Sequence, residues 1–192
     1  LDLASIDDLL RFKVAEKGSF LPARRLMGFL PPDSAGINLS VPESDGPQWL
    51  VLGSPSHEGH VFSTRFDSAS PQACAGLIAG YTGPDKPYYL FTRTLSPTGE
   101  IFALESVSPL GTNLLEKIEI ATAAPGRKST GFTLLCDVSR KTELRLYRDR
   151  DMVLFHNSET GFAGASGIYI GGKTAARISA PEYYYERSDL FR

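Results

Sequence analysis

The sequence has few of the residues that usually carry chemistry: two cysteines, three histidines and one tryptophan in 192 residues. Two cysteines are too few for a disulfide scaffold. Cys74 and Cys136 both sit in apolar runs, "QACAGLIAGY" and "GFTLLCDVS". A free thiol behaves there as a small hydrophobe, and a bridge would need the two strands to be neighbours, so pairing and free thiols both stay open. The one histidine cluster, His57-Glu58-Gly59-His60, lacks the His-Glu-x-x-His spacing and an evident third ligand, and reads as a polar loop rather than a zinc site.

Charge of one sign is scarce as well. A net charge of -2 and a pI near 5.9 give no general attraction to phosphate backbones or anionic lipid, and no basic run appears. No apolar segment approaches the ~20 residues that span a bilayer. Neither a nucleic-acid partner nor membrane insertion is expected. The chain starts at Leu1 without a charged segment followed by an apolar one, as expected of a processed chain or of a domain cut from a longer one. Asn38-Leu39-Ser40 is a glycosylation sequon and points weakly to an extracellular or secreted setting, although a cytoplasmic one fits too.

Catalytic signatures are missing in turn. There is no Gly-x-Ser-x-Gly elbow, and Gly171-Gly172-Lys173-Thr174 lacks the upstream glycine of a phosphate loop. Sandwich glycosidases present carboxylates on alternate residues of one strand, because residues i and i+2 share a face. The spacing Glu-x-Asp-x-x-Glu does not occur; Glu43-Ser44-Asp45 has its first part only, and Glu116, Glu119 and Glu143 stand as single charges. "KTELRL" is similar to a strand of alginate lyase jelly rolls, but the Gln-x-His strand of those enzymes is absent. Whether the chain is an enzyme stays open, with a non-catalytic role favoured and a glycoside hydrolase as the enzymatic alternative. No metal or cofactor is expected; Asp149 and Asp151 could attract calcium, but Arg148 and Arg150 beside them oppose it.

What the sequence does contain is alternation. Residues 1–36 read as a helical segment packed on the rest: Ser5 can cap it, Asp7 and Asp8 suit the dipole, and Ile6, Leu9, Leu10 and Val14 recur at helical spacing until Gly18. Pro31-Pro32 forbids continuation. From 37 to 192 about a dozen short runs rich in β-branched and aromatic residues alternate with turn residues. Phe132, Leu134, Cys136 and Val138 share one face against Thr133 and Asp137; Leu144 and Leu146 oppose Glu143, Arg145 and Tyr147. The expectation is an all-β, antiparallel two-sheet sandwich with a short N-terminal helix.

Certain phrases carry a resemblance. "FSTRFDSASPQACAGLIAGYTGPDKPYYLFTRTL", with Ala75-Gly76-Leu77 and then Tyr88-Tyr89, is similar to a pattern in concanavalin A-like jelly-roll modules. "TELRLYRDRDMVLF" resembles the strand-turn-strand segment of laminin G-like modules, with Arg150 where the family carries glycine. "GFAGASGIYIGG" with "ARISAPEYYYER" resembles their closing part, and the chain from about 37 to 188 is similar to the C-terminal module of family 43 glycoside hydrolases. The resemblance implies a glycan- or protein-binding module, an enzyme of the same fold, or an assembly domain. It leaves the oligomeric state undetermined.

The aromatic supply fits glycan binding, since sugar rings have apolar faces that stack on Trp and Tyr, although such side chains also fill cores. Trp49, Tyr81, Tyr88, Tyr89, Tyr147, Tyr169 and Tyr183 to Tyr185 make up that supply. The expected ligand-binding set is Arg145 and Tyr147 on one exposed strand face, with Arg148, Asp149 and Asp151 of the adjoining turn. That turn reads most simply as a plain connection between two strands, with its charges solvated.

Overall fold

The computed structural model describes residues 37–40, 48–52, 59–69, 74–121, 131–140, 142–171 and 175–185. The helix expected within 1–36, the Glu43-Ser44-Asp45 loop, His57, Glu58 and Lys173 lie outside the described residues.

Twelve strands occur among them: β1 (Ile37–Ser40), β2 (Gln48–Leu52), β3 (His60–Ala69), β4 (Ala75–Tyr81), β5 (Tyr88–Leu95), β6 (Gly99–Ser108), β7 (Gly111–Ala121), β8 (Phe132–Asp137), β9 (Glu143–Arg148), β10 (Asp151–Asn157), β11 (Ala165–Ile170) and β12 (Ala175–Tyr185). They form two six-stranded sheets, ordered β1-β12-β3-β8-β9-β10 and β2-β11-β4-β5-β6-β7, and every strand pairing is antiparallel. The expected sandwich is what the chain adopts.

Alternation puts one face of each sheet inward. In β8, Phe132, Leu134 and Cys136 are buried and Thr133, Leu135 and Asp137 partly exposed. They meet Leu144 and Leu146 of β9, Phe62 and Phe66 of β3, and from the other sheet Leu77, Phe91, Phe102, Leu104, Ile168 and Ile170. Phe66 stacks on Phe132 at 5.0 Å between centroids. Cys74 and Cys136 are both free thiols, so of the two alternatives the unpaired one holds.

β4 departs from simple alternation, since all seven of its residues are buried. Leu77 and Ala79 face the core, while Ile78 belongs to a second apolar cluster with Val51, Tyr81, Tyr88, Leu90 and Ala165. An antiparallel strand that is apolar on both parities packs side chains on both of its faces. Trp49, Val107 and Tyr169 pack against this second cluster, on the face of the sheet turned away from the sandwich core.

Candidate functional site

The residues expected to form the site divide between two faces. Arg145 and Tyr147 point outward from β9, as alternation requires once Leu144 and Leu146 are inside. Tyr147 pairs across the sheet with Leu135 and Met152, and Arg145 with Asp137 and Phe155. Met152 and Phe155 are exposed, so this face carries an apolar strip beside charge. The Arg145 guanidinium hydrogen-bonds Glu143 and lies 4.0 Å from Asp137. Glu143 thereby raises the Arg145 pKa, and Arg145 holds the Glu143 carboxyl below its ordinary range.

Arg148 has the same parity as Leu144 and Leu146, and its side chain goes inward. Its Nε sits 2.8 Å from Glu100 Oε2 of β6, in the opposite sheet. Glu100 also accepts from Arg93 of β5, at 3.1 Å from Nε, and Arg93 lies 4.0 Å from the Phe132 ring centroid. Arg93 and Glu100 are almost wholly buried. Burial opposes ionisation of Glu100, but the hydrogen bonds and charges of the two arginines outweigh it and hold the carboxyl below its ordinary range.

Asp149 is a turn residue by geometry. Its φ of 56° is left-handed, which Asp tolerates better than most side chains. Its N–H donates to Thr133 O at 2.7 Å, and Oδ1 accepts from Thr133 N–H at 2.8 Å. Arg148, at 2.5 Å, holds its other oxygen. Asp151 begins β10 and is exposed. The five residues therefore do not converge: Arg145 and Tyr147 share a face, Arg148 and Asp149 brace the turn, and Asp151 stands at its far side.

Histidine takes part in two inter-sheet contacts. His60 is buried, with Nε2 2.5 Å from Ser166 Oγ, so it belongs to the interior rather than to a polar loop. His156 lies 3.2 Å from Glu116 across the open side of the sandwich, near the Tyr89 and Phe162 rings. Among the described residues no three His, Cys, Asp or Glu side chains gather as metal ligands would.

The outer face of the β2-β11-β4-β5-β6-β7 sheet offers the most complete arrangement. One cross-strand row reads Trp49, Tyr169, Gly76, Thr92, Ala103, Lys117, from β2 to β7. Two half-buried aromatic side chains stand at one end, the buried Gly76 and Thr92 and the half-buried Ala103 follow, and an exposed lysine closes the row. From Tyr169 to Lys117 is four strand steps, roughly 19 Å. Gly76 keeps this strip low, since a Cβ there would run into the Phe91 backbone carbonyl. Trp49 packs edge-on to Tyr88 at 5.0 Å, and Tyr88 meets Tyr81 at 5.7 Å. One row along, Glu105 of β6 is half-buried and close enough to Cys74 and Tyr169 to act on both. Burial first, then Glu105, pushes the Cys74 thiol up to about 11, and burial also raises the Tyr88 and Tyr169 hydroxyls. All three stay protonated at neutral pH; Tyr88 is buried, while the half-buried Cys74 and Tyr169 place neutral polar groups near the Glu105 carboxylate.

This face was missed as a site by its sequence pattern, though signals existed. In "AGLIAGY" and "PYYLF" both parities are apolar, which an antiparallel strand shows only when its second face is also used.

No family model matches the chain, and no curated protein matches it. Solved structures do. A Bacillus subtilis protein of unknown function with a galectin-like fold aligns at a TM-score of 0.65 and 11% identity, over 95% of this chain and 93% of its own. The carbohydrate-binding module CBM66 from Bacillus subtilis aligns at 0.55 and 12% identity, over 77% of this chain and 91% of its own. A GH43 protein from Bacillus licheniformis, BlXynB, aligns at 0.55 and 13% identity, over 79% of this chain and 33% of its own. At such identities the likeness is one of fold, and the fold is the concanavalin A-like jelly roll.

Proposed function

We propose that this chain is a non-catalytic glycan-binding module whose binding surface is the outer face of the β2-β11-β4-β5-β6-β7 sheet. The observation that carries the reading is the cross-strand pair Trp49 and Tyr169 beside a strip of Gly76, Thr92 and Ala103. Half-buried rings give a sugar face an apolar surface at little entropy cost, because the protein already holds them in place. Glu105 and the neutral Tyr169 hydroxyl supply an acceptor and a donor for sugar hydroxyls. The glycan-binding neighbour CBM66 supports the same reading through its fold.

Carboxylate placement favours binding over hydrolysis. Cleavage of a glycosidic bond takes two carboxyl groups ~5–10 Å apart. Glu105 and Glu119 share the outer face, but Glu119 pairs with Ile101, four residues from Glu105 along β6, which sets their backbones roughly 14 Å apart. Ser96 and Thr98 already hydrogen-bond Glu119.

A second surface is the outer face of β8, β9 and β10, where Tyr147, Met152 and Phe155 lie beside Arg145, with Asp151 at its rim. It would suit a protein or a charged glycan, with Arg148 and Asp149 holding the turn in place. Glycan-array screening of the chain with Trp49→Ala, Tyr169→Ala and Tyr147→Ala separates the two. Loss of signal in the first two variants with Tyr147→Ala unaffected supports the Trp49 face; the reverse assigns the site to Tyr147. A wild-type chain silent on all glycans rejects glycan binding. An extracellular setting goes with this reading and rests on the Asn38 sequon alone.

A further inference from the structure

The longest strand end of the second sheet is left without a neighbour. β7 runs for 11 residues and, among the described residues, pairs only with β6. Most of it is exposed, including Leu114 at 52% and Ile118 at 39%. An exposed edge presents a row of N–H and C=O groups that another strand can complete. The other edges suit this less: β1 and β2 have four and five residues, and β10 carries a bulge between Met152 and Leu154. In β7 the bulge lies beyond Glu116, and the stretch from Glu116 to Ala121 is regular, pairing residue for residue with Leu104 to Gly99.

We propose that β7 pairs antiparallel with the β7 of a second copy, about a two-fold axis through Ile118. The sequence Glu116-Lys117-Ile118-Glu119-Ile120 is self-complementary in that register. Ile118 meets Ile118, each Lys117 faces Glu119 of the other copy, and each Glu116 faces Ile120. Moving the axis to Lys117 would set lysine against lysine, and moving it to Glu116 or Glu119 would set glutamate against glutamate. Within the regular stretch, Ile118 is the position that brings opposite charges together twice. His156 Nδ1 already lies 3.2 Å from Glu116 Oε1 within its own subunit, so that carboxylate has a partner beside the seam. Such an interface is isologous and closes at two copies. It joins two sheets into one twelve-stranded sheet whose outer faces look the same way, which sets the two Trp49 strips side by side for multivalent capture. The pairing itself does not depend on which face binds glycan.

Sedimentation of the intact chain over a range of concentrations tests this. Wild type is expected to dimerise. Lys117→Glu should raise the dissociation constant by at least about tenfold, because both cross-strand attractions become repulsions. Lys117→Glu with Glu119→Lys should restore the dimer by exchanging the charges across the axis. Ile118→Lys, which sets two ammonium groups on the axis, should give monomer. Circular dichroism checks that each variant is folded, since Glu119 also bonds Ser96 and Thr98. Amide hydrogen exchange of the wild type needs no substitution: protection of residues 116–121 should rise with protein concentration. A wild type that stays monomeric, a dimer indifferent to Lys117→Glu and Ile118→Lys, or exchange at 116–121 independent of concentration would overturn the proposal.

Discussion

Arg148 and Glu100 come from opposite sheets, and the guanidinium Nε of one lies 2.8 Å from a carboxylate oxygen of the other. With Arg93 on the same carboxylate, two cations and one anion close one end of the sandwich interior. The hairpin turn that looks like a solvated tip is thus anchored to the other sheet by its first arginine.

Removing the anion from this group should be costly. Glu100→Ala leaves Arg93 buried without its counter-charge, and such a change destabilises by about 3–5 kcal/mol. Urea denaturation should show the midpoint falling sharply. Replacing Arg93 and Glu100 together by Met and Leu should recover much of the loss, because the uncompensated charge is gone.

The same group sets a pH dependence. The folded Glu100 carboxyl titrates below its ordinary value of 4.5, so its stabilisation is present above that value and fades as pH falls through the lower folded value. Wild type should therefore lose stability in acid faster than Glu100→Gln, and their thermal unfolding curves should converge as pH falls below 4.5. Parallel curves down to pH 2 would show that Glu100 is not held ionised.

Both thiols should be unreactive in the native chain. Burial raises Cys136 strongly, and burial with Glu105 raises Cys74 to about 11, so neither is a thiolate at pH 8. Titration with a disulfide reagent should find almost no fast-reacting thiol in the folded protein and two after denaturation.

Gly76→Ala should disturb the fold at the binding strip itself. The added Cβ meets backbone of Phe91 and Thr92 rather than a flexible side chain, so β4 and β5 must separate. The cost should be about 1–3 kcal/mol in a thermal unfolding experiment.

Much of the architecture could be read from local pattern. Phe132, Leu134 and Cys136 alternate with polar residues, and turn residues separate the runs, so strands and their buried faces follow from period two. Sheet membership could not be read that way. β12 lies beside β3, with Ile178 opposite Phe66, and no local signal joins segments so far apart in the chain. The inward course of Arg148 was implicit in its parity with Leu144 and Leu146, but a charged turn suggests solvent, and only the position of Glu100 reverses that. Arg93 is the same case, sharing parity with Phe91. The Trp49 face stayed hidden because its row draws on five strands besides β2, each supplying a single residue.

Trp49 is the chain's one tryptophan, so its fluorescence reports on the proposed surface without labelling. Titration with a glycan found on the array should change Trp49 emission saturably, with the same dissociation constant that calorimetry gives. Binding seen by calorimetry while Trp49 emission stays unchanged would place the ligand elsewhere and contradict the assignment of this face.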